Sequence, residues 1–228
     1  MKNKEQEIID MILEMKKLGY PDEKIVEDFE TKLLKLHNLK LSQFFPVNIK
    51  GADVKAHGQV IIDSEDLEEN YEFATHVKGA DVKAHGMVIA NSGNLLYNYK
   101  FARDAKGADT WAHEQVILDS KNLEYNYIFA RDVKKANVRA HGKVIIDSGD
   151  LEYNYKFASD VKGADVRAHG KVIINSGSIE YNEKFKLIEG SDIDAHVAVI
   201  NNTKIQKCKE YLNECLDTMI KEKVKVKK

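Results

Sequence analysis

One 28-residue unit, repeated in register along most of the chain, constrains the fold more than any other feature of the sequence. Lys134–Val161, KKANVRAHGKVIIDSGDLEYNYKFASDV, is one of five successive copies that begin at Lys50, Lys78, Lys106, Lys134 and Lys162. A partial sixth copy, IEGSDIDAHVAVI, starts at Ile188 after a one-residue deletion. Self-similarity at a fixed period of this length points to a solenoid or a propeller, in which each unit buries its apolar face only against its neighbours.

The punctuation inside the unit decides for helices. In the fourth copy Asn137 stands where the others have Asp53, Asp81, Asp109 and Asp165, and either residue caps a helix N-terminus through its side-chain oxygen. A first helix is predicted over Val138–Asp147 and is broken at Ser148-Gly149. Asp150 then caps a second helix over Leu151–Val161, and Gly163 follows in the left-handed position that closes many helices. On a helical wheel Val54, His57, Gly58 and Ile61 share one face of the first helix, while Lys55, Gln59 and Asp63 point away. The prediction is an all-α fold, an αα-hairpin solenoid wound as a right-handed superhelix, with helical caps at both ends.

Residues 1–49 are read as the N-terminal cap, since the end copy of a solenoid has no neighbour to cover it. An apolar stripe (Ile8, Ile12, Met15, Leu18) precedes the Gly19–Asp22 break. A second helix over 23–37 carries Ile25, Val26, Phe29, Leu33 and Leu36. Asn38–Gly51 resembles a worn second half of the unit, with Leu39, Phe45 and Ile49 in the columns of Leu67, Phe73 and Val77. Residues 50–199 hold the five copies and the partial sixth. Residues 200–228 are expected to form a capping helix with a basic tail, KEKVKVKK; Ile205, Cys208, Leu212, Cys215 and Met219 alternate at spacings of three and four, the spacing of a coiled-coil seam.

A formal net charge of −2 is not that of a protein held to nucleic acid by bulk charge. The two cysteines, Cys208 and Cys215, lie about 10 Å apart along one helix, too far for a disulfide. They are expected to be small buried hydrophobes in a reducing compartment. No apolar run reaches the length of a membrane span, and no signal peptide opens the sequence, so a cytoplasmic protein without membrane contact is expected.

Two polar columns run through every copy. Histidine recurs at His57, His85, His113, His141, His169 and His196, each after an alanine. Zinc ligands must lie within about 4 Å of one another, whereas equivalent helices of adjacent copies sit about 8–10 Å apart. No metal, cofactor or repeated catalytic site is therefore expected. Asparagine recurs at Asn70, Asn98, Asn126, Asn154 and Asn182, in the middle of an apolar helix face where an amide needs hydrogen-bond partners. Either these amides meet the histidines of the same or next hairpin, as a structural ladder, or they present a row of donors to an extended peptide.

Function should show where the copies differ. Met87, Leu96, Trp111 and Ile128 are apolar where their columns are otherwise polar or charged, and Trp111 is the chain's single tryptophan. Exposed aromatic anchors dominate many protein interfaces. Arg139, Lys143, Arg167 and Lys171 form a second feature, a basic arc on two successive first helices suited to phosphates or an acidic protein.

DSGDLEYNYKFASDVKGADVRAHGKVI (from Asp147) resembles the short tandem α-helical repeats of bacterial and phage proteins, HEAT-like αα solenoids, over about 150 residues. That resemblance implies the fold and lends no activity; its phage association implies an inhibitor of a host protein. The histidines and asparagines stand where that pattern is more variable and often apolar. With no nucleophile–base pair or phosphate loop, the expected function is a non-catalytic protein-binding scaffold or inhibitor, monomeric or weakly self-associating. Nucleic-acid binding along the basic arc is the alternative.

Overall fold

The computed structural model describes residues 4–226, with side chains through Thr218; Met219 and the basic tail of the expected capping helix lie outside the described side chains. The described residues are helical without a strand. The N-terminal region holds α1 (Lys4–Lys17), α2 (Asp22–Ile25), a π-helical stretch (Val26–Glu30), α3 (Thr31–Lys35) and α4 (Leu39–Asn48). First helices of the unit are α5 (Val54–Asp63), α7 (Val82–Asn91), α9 (Thr110–Ser120), α11 (Val138–Ser148) and α13 (Val166–Ser176). Second helices are α6 (Leu67–His76), α8 (Leu95–Asp104), α10 (Leu123–Asp132), α12 (Leu151–Asp160) and α14 (Ile179–Phe185), and α15 (Ile193–Val226) closes the chain. The fold is an αα-hairpin solenoid.

Two compact units divide it. The first runs to Ser120 and takes in Val133–Ala136; the second comprises Lys121–Asp132 and the chain from Asn137 onward. In both, the most extensive packing joins a second helix to the first helix of the next copy: α4 with α5, α6 with α7 and α8 with α9 in the first unit, α10 with α11, α12 with α13 and α14 with α15 in the second. The hairpin that packs is thus offset by one helix from the unit as it is read in the sequence.

Local chemistry explains the boundaries. Asp53, Asp81, Asn137 and Asp165 each accept a hydrogen bond from the backbone N–H three residues on, at 2.9–3.1 Å. Asp66, Asn94, Asn122 and Asp150 do the same for the second helices at 2.9–3.1 Å. Gly163 closes α12 at φ 87°. In the fourth copy that left-handed position falls to Lys135, at φ 67°, where a Cβ is strained. Each copy gives the core one fully buried phenylalanine and one fully buried isoleucine: Phe73, Phe101, Phe129, Phe157 and Phe185 with Ile61, Ile89, Ile117, Ile145 and Ile173.

The N-terminal stripe differs from expectation at two residues. Leu18 and Leu36 are exposed, because α1 ends at Lys17 and α3 at Lys35, so each leucine leaves the helical register one residue past an end. The cysteines differ as well. Cys208 is exposed and Cys215 half-exposed, since only the first turns of α15, with His196 and Ile200 buried, pack against α13 and α14.

Candidate functional site

Asn70, Asn98, Asn154 and Asn182 each sit at the middle of a second helix and tie three consecutive helices together. Asn154 of α12 donates its amide to the carbonyl of Ile145, in the last turn of α11, at 3.0 Å, and to that of Asp150 at 2.7 Å. Its Oδ1 lies 2.8 Å from His169 Nδ1 of α13. The same three contacts recur at Asn70 with His85, Asn98 with His113 and Asn182 with His196. Asn126 reaches His141 at 2.8 Å. The five asparagines and six histidines of these columns are at most 1% exposed. Amides so engaged present no surface to a peptide.

This geometry fixes the histidine tautomer. With the asparagine amide aimed at two carbonyls, its oxygen faces the imidazole, so the imidazole must donate from Nδ1 and Nε2 carries no proton. The Nε2 atoms of His85, His169 and His196 are buried without a hydrogen bond. Each imidazole instead lies against the phenylalanine of the preceding copy, as His85 does on Phe73 with ring centroids 5.0 Å apart. Burial pushes His57, His85, His113, His141 and His169 down to about 4, and lowers His196 as well.

At four of the five first helices a glycine stands against the phenylalanine and histidine rings. A Cβ on Gly58 would come within 3.2 Å of Phe73 Cε1 and 3.4 Å of His85 Nε2; on Gly86 it would come within 2.9 Å of Phe101 Cε1. In α9 the same column holds Glu114, 6% exposed. Reading the sequence for apolar interruptions passes over it; the break in a glycine column is the signal that marks it.

The ladder is incomplete at its first rung. Ser42 of α4 occupies the asparagine column, and neither its hydroxyl nor the ring nitrogens of His57 make a hydrogen bond, although His57 Nε2 is 3.4 Å from Glu30 Oε1. The carbonyls of Leu33 and Asn38 stand nine and four residues before Ser42, as those of Ile61 and Asp66 do before Asn70. Ser42→Asn should therefore supply the missing bonds and stabilise the N-terminal helices by about 1–2 kcal/mol. An unchanged or lower melting temperature would show that the α4–α5 packing has no room for the amide.

The surface residues singled out in the sequence fall in both units. Met87 on α7 is 57% exposed, Trp111 on α9 68% and Leu96 on α8 42%, all in the first unit. Lys83 and Met87, one turn apart and so on one helix face, line a groove of about 130 Å³ between α7 and α9. Trp111 occupies the register of Lys83 on α9, which places it on the same outward face. Leu96 lies on a second helix, away from that face. Ile128, in the second unit, is no exposed anchor: it is half-buried against the cluster of Tyr127 and Phe157. The reason is a ladder of tyrosines and cations on the second helices. Lys100 lies over the rings of Tyr71 and Tyr97, Lys156 over Tyr153 and Lys184 over Tyr181, at 5.0–5.7 Å. Ile128 stands in the same column, where a side chain packs on aromatic rings.

Arg139 and Lys143 line a groove between α11 and α13, Arg167 and Lys171 one between α13 and α15. Lys143 is held by Asp147 at 2.7 Å, whereas Arg139, Arg167 and Lys171 make no ion pair among the described residues. Asp165 faces the first basic pair and Asp192 and Asp194 the second. No group of three or more histidines, cysteines or carboxylates that could hold a metal occurs among the described residues, and no described helix is long and apolar enough to cross a membrane. No family model, curated protein or solved structure matches the chain.

Proposed function

We propose that the chain is a non-catalytic protein-binding scaffold, or an inhibitor acting by such binding, whose contact surface is the outward face of α7 and α9. The observation that carries this reading is the 68% exposure of Trp111 on the α9 face that continues the α7 groove lined by Met87. A large rigid aromatic side chain loses little conformational entropy when covered and fills a pocket on a partner. The polar columns are spent on the fold, and the cations of the second helices lie over their own tyrosines. That leaves the first-helix face as the surface with side chains to spare.

Nucleic-acid binding remains the second reading, favoured by Arg139, Arg167 and Lys171, which have no carboxylate partner. Aspartates in the same grooves weaken it, because phosphates would be repelled there.

Affinity capture from host-cell lysate, with and without nuclease, separates the two. For protein binding, a partner retained by the wild type is reduced at least about tenfold by Trp111→Ala, is little changed by a double Arg139→Ala, Arg167→Ala substitution, and is indifferent to nuclease. The melting temperature stays within a degree or so, since Trp111 buries little of its surface. Retention that survives Trp111→Ala but vanishes with nuclease or modest salt would assign the face to nucleic acid.

A further inference from the structure

One column of the first helices changes sign along the second unit. Arg139 on α11, Arg167 on α13 and Asp194 on α15 stand at the same place in successive copies, two residues past Asn137, Asp165 and Asp192. α11 packs on α13 and α13 on α15, so the three side chains form a row across adjacent helices, about 8–10 Å from one to the next. Arg139 opens onto a groove of about 480 Å³ between α11 and α13, and Arg167 and Asp194 onto one of about 780 Å³ between α13 and α15. None of the three makes an ion pair or a side-chain hydrogen bond among the described residues. The other charges of these grooves are engaged, save one. Asp165 and Asp192 cap their helices by accepting the backbone N–H three residues on, at 3.0 and 3.1 Å, and Asp147 holds Lys143 at 2.7 Å. Where Asp147 stands, the fifth copy has Asn175. Lys171, one turn beyond Arg167, therefore adds a second free cation to the middle of the row.

A row that reads cation, cation, anion at this spacing selects its ligand by period. In a β-strand, residues three apart span about 10 Å but face opposite sides. A helix returns to the same face after seven residues, about 10.5 Å, which overshoots the row at every step. Polyproline II has three residues per turn and brings a side chain back to one side about every 9.3 Å. We infer that the second unit binds a polyproline II segment of an acidic peptide whose charges run acid, acid, base at positions i, i+3 and i+6. The acids lie on Arg139 and on Arg167 with Lys171, and the base lies on Asp194. A carboxylate suits a guanidinium, which can donate two parallel hydrogen bonds to it. A nucleic-acid strand fits less well, because its charge does not change sign and the phosphate beyond the two cations would meet Asp194. This surface is a second one and does not rest on the α7 and α9 face.

Fluorescence anisotropy of the full chain with labelled synthetic heptapeptides, at about 20 mM salt, tests this. Glu-Pro-Pro-Glu-Pro-Pro-Lys and its reverse sequence cover the two chain directions. The expected result is that one of them binds, while the charge-reversed Lys-Pro-Pro-Lys-Pro-Pro-Glu does not. Binding should weaken at least about fivefold in Arg139→Ala and in Arg167→Ala. Both side chains are exposed, so the melting temperature should not move. Asp194→Arg should shift the preference to Glu-Pro-Pro-Glu-Pro-Pro-Glu, a switch that no loss of folding can imitate. The inference is overturned if neither direction binds at about 1 mM peptide, or if binding survives Arg167→Ala. Equal affinity for a peptide with its acids four residues apart overturns it as well. An oligothymidylate that binds more tightly than either peptide, through the same arginines, overturns it in favour of nucleic acid.

Discussion

Replacing Asn154 by alanine is expected to destabilise the second unit by about 3–5 kcal/mol, a loss of the size seen when a buried polar network is broken. The substitution removes three hydrogen bonds at once, to Ile145, Asp150 and His169. It also strands the His169 Nδ1–H in a buried site. The Ile145 carbonyl keeps one partner, the Ser148 hydroxyl at 2.6 Å, so the histidine side bears most of the effect. Urea denaturation followed by far-UV circular dichroism measures the loss, and amide hydrogen exchange should localise it to α11, α12 and α13. Glu152→Ala, on the solvent face of the same helix, serves as the reference and should stay within about 0.5 kcal/mol. A loss from Asn154→Ala of under about 1 kcal/mol would mean that the amide is solvated and that the ladder does not hold the helices together.

How much of this could be read from the residues depends on the range of the interaction. Helix ends were legible because caps act within three residues: Asp150 to the Tyr153 N–H is a local bond, and Asp at that place announces it. The Asn and His columns were legible as a pair because each lies in the middle of an apolar face, where an unpaired polar group is costly. Which histidine each asparagine meets was not, since bonding within a copy and across copies have the same pattern; the structure settles on the next copy, 15 residues on for Asn154. Ile128 was misjudged because a wheel reports direction and not distance. Its column points outward, yet it packs half-buried against the cluster that holds Tyr127 and Phe157. The distal half of α15 was illegible for a similar reason, since a helical stripe shows that something covers it and leaves open whether the cover is the same chain.

Acid should unfold the protein well before its carboxylates are neutralised. An unfolded histidine titrates near 6.5, while the five buried ones from His57 to His169 are pushed down to about 4. The folded pKa is the lower one, so the unfolded chain binds more protons throughout this window. Stability is therefore unaffected above pH 7, falls as pH drops through 6.5, and levels off only below about 4. Near pH 5.5 each buried histidine withholds close to one proton, which lowers stability by about 1.4 kcal/mol per pH unit per histidine. The cause is visible at His85: a proton on Nε2 would point at the Phe73 ring and Gly58, with no acceptor. Thermal melts at pH 7.5, 6.5, 5.5 and 5.0 should show a steep fall over the last three values. Imidazole nitrogen shifts recorded at pH 5.5 should still report neutral rings protonated at Nδ1. Melting temperatures that stay flat down to pH 5 would show that the histidines can be charged in place, and the tautomer argument would fall with them.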